Sequence, residues 1–372
     1  VDRKRILIIA GVAGGLILAV AAIVFAMGGE DEPVAAATTT TVVTTLPPVT
    51  TQATTTSSTT TTTTTTLPSG PPSLLNGLPV DDETLQERRV IAVKVDNHPE
   101  ARPQSGIQDA GAVIELVVEA GITRFIALFH DTDTEYIGPI RSGRPTDPTL
   151  LKPLGAVFQI SGAQPWVQSI IRSDGVPFLG ESSPNTFRIP RGGRAYERTL
   201  YGTTPGMRDV SDNRGFPDDP PEDTGWFTFG EEPTATTETA EDIALSWSGD
   251  WPTVHWVWDG EQYLRFNGET PHEWVDQESE GEQIAADTLV VLTADQYIAS
   301  GSSGSAVPAL DTVGSGQAFL FHSGGVVQGT WERGTIDEWF TITTLDGDPL
   351  VLPAGRLWVN IFPDHRTLSW DQ

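Results

Sequence analysis

Val90-Ile-Ala-Val-Lys-Val95, Ala112-Val-Ile-Glu-Leu-Val-Val118 and Arg124-Phe-Ile-Ala-Leu-Phe-His130 are three short apolar runs, rich in β-branched and aromatic residues and bounded by polar or turn-forming ones. Runs of this length and composition read as strands. Only Glu119-Ala-Gly-Ile lies between the second and third, so a β-hairpin is the simplest connection. Working outward, Ala156-Val-Phe-Gln-Ile160 reads as a further strand. Pro165 to Arg172 has helical spacing, with Trp166, Ile170 and Ile171 as its apolar positions. Residues 74–216 are therefore expected to form a mixed α/β unit.

A polar, Pro-punctuated stretch at 217–245 interrupts this pattern, including Asp218-Asp-Pro-Pro-Glu-Asp223, and is expected to be an acidic linker. From 246 to 372 the signals are β throughout. Val254-His-Trp-Val-Trp258 and Tyr263-Leu-Arg-Phe266 flank Asp259-Gly260, and Asn267-Gly268 follows; Asp-Gly and Asn-Gly between alternating residues are strong hairpin cues. Further strands are expected at 288–293, 317–322, 326–331, 339–343 and 357–362. The fold class is α+β, a mixed N-terminal subdomain followed by a mostly antiparallel C-terminal one. Trp256 and Trp258 share one strand face, as do Phe319 and Phe321, and such pairs chiefly supply core, with sugar stacking as the alternative.

Toward the N-terminus the chemistry changes. Ile6 to Met27 is an uncharged apolar run of 22 residues, long enough at about 1.5 Å per residue to cross a hydrocarbon core of about 30 Å. Arg3, Lys4 and Arg5 precede it, and Glu30, Asp31 and Glu32 follow, which places residues 1–5 in the cytoplasm and the rest outside. The run exceeds the apolar core of a cleaved signal peptide, about 7–15 residues, so an uncleaved anchor is expected, although Ala21-Ala22-Ile23 and Ala26-Met27-Gly28 leave cleavage open. Within residues 28–73, the stretch from Ala35 to Ser73 is almost wholly Thr, Ala, Val, Pro and Ser, with eight successive threonines from Thr59 to Thr66. Such a stretch cannot build a core, and residues 28–73 are expected to be an extended, disordered stalk, open to O-glycosylation. The expected location is the cell membrane, with a single pass and the folded region outside.

The formal charge of −28 argues against the phosphate backbone of nucleic acid as a partner. The sequence has no cysteine, which excludes disulfides, thiolate metal sites, a Cys nucleophile and a cysteine-linked lipid within it. Gly-x-Ser-x-Gly, His-Glu-x-x-His, Walker-type and dinucleotide-binding motifs are absent. No cofactor or metal is expected. Asp131-Thr-Asp-Thr-Glu135 has only part of a calcium-loop pattern and reads as a solvated turn.

Three segments are candidates for chemistry. Lys94-Val-Asp-Asn-His-Pro-Glu-Ala-Arg-Pro-Gln-Ser-Gly106 runs from a strand end into a Pro-limited loop; Asp96, Asn97 and His98 could bind a metal or move protons and Arg102 could hold an anion, or the group could simply cap a turn. Gly138-Pro-Ile-Arg-Ser-Gly-Arg-Pro places Arg141 and Arg144 three apart, which suits a carboxylate or phosphate. Between Phe187 and Arg198 there are four arginines, Arg191 and Arg194 among them, in an otherwise acidic chain. Glu115 and Glu119 would share a strand face and are the candidate acid–base pair, or the partners of Arg124 and Lys94.

These motifs, with Gly121-Ile-Thr-Arg-Phe125, Ser161-Gly162, Tyr263-Leu-Arg-Phe266, Pro271-His272, Gly329-Thr-Trp331 and Pro353-Ala-Gly-Arg-Leu-Trp358, resemble the YerB-like lipoproteins, a bacterial family classed as a domain of unknown function. The resemblance spans roughly residues 74–363 and implies a two-part exported domain at the bacterial surface. It implies no reaction. Members are commonly lipoproteins, whereas this sequence has no cysteine, and Glu197-Arg-Thr-Leu-Tyr201 stands where a Pro-His-Asn-Leu-Tyr-like element is expected. Two functions are consistent with the residues. One is a membrane-anchored envelope protein that binds an anionic wall component or an envelope partner. The alternative is a cell-wall glycan or peptide hydrolase that uses Asp96 and His98 with Glu115 and Glu119.

Overall fold

The computed structural model describes residues 70–371 except 191–192, 219, 221–223, 250–252 and 277–280. The apolar run at 6–27, the stalk as far as residue 69 and Arg191 lie outside the described residues. Among those that are described, no helix is long and apolar enough to cross a membrane. Folded structure begins slightly before Leu74: the Ser73 amide donates to the Leu78 carbonyl at 2.7 Å and the Val80 amide to that of Pro71 at 2.9 Å.

The three runs that open the chain form β1 (Ile91–Asp96), β2 (Ala112–Val117) and β3 (Thr123–Phe129). β2 and β3 are the expected antiparallel hairpin, and β3 also pairs antiparallel with β1, setting Asp96 opposite Arg124. α1 (Asp147–Leu151), β4 (Val157–Gln159), α2 (Pro165–Ser173) and β5 (Phe178–Leu179) follow, with β4 parallel to β1 and β5 parallel to β4. Pro165 opens α2 where no amide partner is needed, and Val167 and Ile171 form its buried stripe. The short hairpin β6 (Thr186–Arg188) and β7 (Leu200–Gly202) precedes α3 (Thr204–Asn213), whose N-cap Thr203 accepts the Gly206 amide.

The second half supplies β8 (Asp242–Ser246), β9 (Thr253–Trp258), β10 (Tyr263–Asn267), β11 (Thr288–Ala294), β12 (Gly314–His322), β13 (Gly325–Arg333), β14 (Thr341–Thr344), β15 (Leu357–Pro363) and β16 (Leu368–Trp370). Asp259-Gly260 joins β9 to β10 as expected. The expected start of β14 at residue 339 is displaced, because Trp339 and Phe340 turn inward to pack edge-on against each other ahead of the strand.

The halves share one sheet, ordered β14-β13-β12-β11-β15-β2-β3-β1-β4-β5. β15 lies parallel to both β11 and β2, so a C-terminal strand joins the β1–β3 meander to the β11–β14 meander. β1, β2, β3 and β15 are buried along their whole lengths, as strands covered on both faces must be. One cover is the smaller antiparallel sheet β10-β9-β8-β16, which packs by Trp256 on Trp358 and by Trp370 on Phe319 and Phe321. Trp256, Phe319 and Phe321 are therefore core, and Trp258 is half-buried against Tyr263.

Candidate functional site

Burial on both faces has a chemical consequence. Lys94, Asp96 and Glu115 occupy strand positions that an ordinary half-exposed strand would give to solvent, yet none is more than 1 % exposed. Each must find a counter-charge inside the fold.

Asp96 ends β1. Its Oδ1 accepts the His98 amide at 3.2 Å, and His98 Nδ1 accepts the Glu100 amide at 3.2 Å, which caps the short turn Pro99–Ala101. Around the same carboxylate stand three guanidinium groups: Arg141 Nε at 3.3 Å, Arg198 Nε at 3.6 Å and Arg124 Nε at 3.9 Å. Asp96 Oδ2 and all three Nε atoms are buried and have no hydrogen-bond partner among the described residues. Arg124 donates to the Ser142 carbonyl, and Arg198 reaches the exposed Glu100 at 2.9 Å; the Arg141 side chain has, among the described residues, no ion pair or hydrogen bond beyond the Asp96 contact. Burial, reinforced by Arg144 and Arg141 and opposed by Asp96, pushes the Arg124 guanidinium down to about 9. The group remains charged at neutral pH; the shift comes chiefly from burial, and the neighbouring cations add to it.

Lys94 pairs with Asp147 at 2.6 Å, both fully buried, and burial pulls the lysine down to about 8 against the pull of Asp147. The other Asp147 oxygen accepts the Arg144 amide, while the Arg144 side chain holds Glu119 through Nε and Nη2 at 2.8 and 2.7 Å. Glu119 has left the sheet for a turn after β2, so it does not share a face with Glu115.

Glu115 belongs to a second network. Its Oε1 accepts from Thr123 at 2.6 Å and Arg265 at 2.7 Å, and its Oε2 from the indole N–H of Trp358 at 2.9 Å. Arg265 also donates to His272 Nδ1, which fixes the tautomer: an arginine can only donate, so Nδ1 accepts and Nε2 carries the proton given to Gln104 Oε1 at 2.8 Å. Gln104 Nε2 then donates to Asn97 Oδ1 and to the Asp96 carbonyl, and Asn97 Nδ2 donates to Thr123. Burial and the nearby Arg265 and Arg102 cations hold His272 well below its ordinary value, so it is neutral. Gly106 closes the loop carrying these groups; its φ is +70°, and a Cβ there would meet the Tyr136 carbonyl at 2.5 Å.

Beside this network is a cavity of about 530 Å3. One wall is His98, Pro99, Arg102, Pro103 and Ile122, from the first half; the other is Asn267, Thr270, Pro271, His272 and Glu273, from the second.

The sequence candidates thus divide. Asp96 and Arg141 meet in the guanidinium cluster, with Arg144 beside it through Ser142, whose carbonyl also binds Arg124. His98 and Arg102 line the cavity, and Asn97 braces Arg102 through its Oδ1 and carbonyl. Arg194 is a strap, donating to the Tyr201 hydroxyl and to the carbonyls of Arg102 and Pro103. The expected partners of the glutamates are corrected: Glu115 pairs with Arg265 and Glu119 with Arg144, not with Lys94 and Arg124. Each glutamate is occupied by donors, an arrangement that lends no support to an acid–base pair. Periodicity gave no sign of Arg265, His272 or Trp358, since all sit in ordinary-looking strands and turns; the motifs carrying the family resemblance contain all three.

Comparison with known proteins bears on that resemblance. Two family models match, described as the N-terminal domain and the C-terminal domain of a protein of unknown function (DUF3048), over residues 75–217 and 242–359. The chain belongs to the DUF3048 family. A curated DUF3048-like relative, YerB of Bacillus subtilis (strain 168), whose name marks it as a candidate lipoprotein, is 24 % identical over 302 residues, 78 % of this chain and 86 % of its own. The crystal structure of YerB superposes with a TM-score of 0.67, covering 80 % of this chain and 99 % of that one at 24 % identity, which shows a shared fold. In this DUF3048 member the position where the resemblance led to a histidine is Arg198, one of the three guanidinium groups on Asp96.

Proposed function

We propose that this DUF3048 protein is an extracytoplasmic module of the cell envelope that binds an anionic envelope component at the guanidinium cluster around Asp96. The observation that carries this reading is the crowding at that carboxylate: three guanidinium groups with buried Nε atoms converge on Asp96, and among the described residues the Arg141 side chain has no other ion pair or hydrogen bond. A multivalent anion would supply acceptors in the planar geometry that arginine favours. Glu100 and Glu197, both exposed, lie against Arg198 and are the acidic groups such a ligand would displace.

The envelope location rests on the apolar run at 6–27 and the Thr-rich stretch after it, read as a single-pass anchor and spacer with the folded region outside. It agrees with the candidate-lipoprotein name of the Bacillus relative. The strongly acidic chain disfavours nucleic acid and makes a localised cationic site the place where an anion gains most.

Retention of the full chain on isolated cell walls tests the proposal. Retention is expected to fall as ionic strength rises and to be lost in Arg141→Ala; retention indifferent to both removes the arginine reading.

A further inference from the structure

We infer that the cavity between the two halves is a second binding site, which takes a small molecule carrying a carboxylate on an apolar body. The inference stands apart from the guanidinium cluster and rests on what each lining side chain has left to offer once its internal bonds are made. Arg102 gives Nε and Nη2 to Asn97, at 3.0 and 3.1 Å, and keeps Nη1. His98 accepts the Glu100 amide on Nδ1, so its N–H is on Nε2. Asn267 Oδ1 accepts from Arg265 at 3.1 Å; because a guanidinium only donates, the amide orientation is fixed and Nδ2 keeps its two N–H groups. His272 has both ring nitrogens occupied and serves only as wall.

Three side chains from both walls therefore offer donors, one of them cationic, while Pro99, Pro103, Ile122 and Pro271 supply apolar surface. The carboxylate of Glu273 is exposed, and its charge is screened by solvent. Donors on an apolar ground select an acceptor-rich anion with a hydrophobic body. At about 30 Å3 per water-sized group, the volume of about 530 Å3 holds on the order of fifteen non-hydrogen atoms.

The test is calorimetric titration of the full chain with N-acetyl-alanyl-alanine, its C-terminal amide, and acetate. The acid is expected to bind about tenfold more tightly than the amide, which lacks the charge that meets Arg102. Acetate, lacking the body, is expected to bind at least about tenfold more weakly than the acid. Asn267→Asp still accepts from Arg265 but replaces the donor with a second carboxylate, and should abolish the preference for the acid. Glu273→Gln, at an exposed position, should strengthen acid binding roughly twofold by removing a like charge. Equal affinity for acid and amide, equal affinity for acid and acetate, binding of none of them, or a preference that survives Asn267→Asp overturns the inference.

Discussion

Asp96 and Arg141 differ in what their loss should do. Asp96 is the fully buried carboxylate on which three guanidinium groups converge, so Asp96→Asn removes the counter-charge of Arg124 and Arg141, while Arg198 keeps Glu100 and Glu197, and is expected to destabilise the fold by about 3 kcal/mol in urea titration. Arg141, with a single ion pair and a side chain 20 % exposed, should tolerate Ala at about 1 kcal/mol or less. His272 carries a pH dependence of definite sign. Its folded value lies well below 6.5, so as pH falls through 6.5 the unfolded chain takes up a proton that the folded chain refuses, and stability declines. His272→Gln preserves an acceptor for Arg265 and a donor for Gln104, and should flatten the acid limb of the stability curve by up to about 1.4 kcal/mol per pH unit. His130 and His322, also lowered by burial, and the carboxylates of Asp133 and Glu119, held low against burial by their arginine partners, would carry the slope that remains. An unchanged slope would show that position 272 is not neutral in the folded chain.

Among the elements, β2 and β15 are joined by backbone pairing and by Glu115, which accepts the Trp358 indole N–H. Trp256, on β9, packs against Trp358, but its own N–H is buried without a partner among the described residues. The same substitution should therefore act differently at the two positions. Trp358→Phe strands a buried carboxylate oxygen, whereas Trp256→Phe deletes an unpaired donor, so the first should cost about 2 kcal/mol more than the second in equilibrium unfolding. Comparable losses would mean that the indole–carboxylate bond contributes little. The individual strands were legible in the sequence, because period, turn residues and run length are local signals: β2, β3 and their hairpin are where composition puts them, and Asp259-Gly260 turns as Asp-Gly should. Which strands lie side by side was not legible. β2 and β15 are far apart in sequence, and an apolar run buried on both faces has no alternation to show its neighbour.

For the whole molecule, the decisive fact is that the sheet runs through both family-defined parts, with β15 of the second part at the flank of β2 in the first. A chain ending at residue 240 would lack β15, Arg265 and Trp358 together, leaving a bare strand edge and an unpaired buried Glu115. Such a fragment is expected to show no cooperative unfolding transition by circular dichroism; a sharp transition would mean that the first half holds a core of its own. The same seam explains why half of the candidate site escaped sequence reasoning. Asp96, His98, Arg102 and Arg141 announce themselves as polar groups at strand ends. Arg265 and Asn267 look like surface residues of a hairpin until the second sheet closes over the first and buries the guanidinium.

A guanidinium cluster that receives anions differs from a set of internal ion pairs in its response to salt and to the loss of one arginine. The most direct measurement is retention of the full chain on isolated cell walls at about 50 mM and about 500 mM salt, with Arg141→Ala run alongside. The prediction is strong retention at low salt, release at high salt, and loss of retention in a variant whose unfolding curve is nearly that of the wild type. Retention that ignores both the salt and the substitution would contradict it.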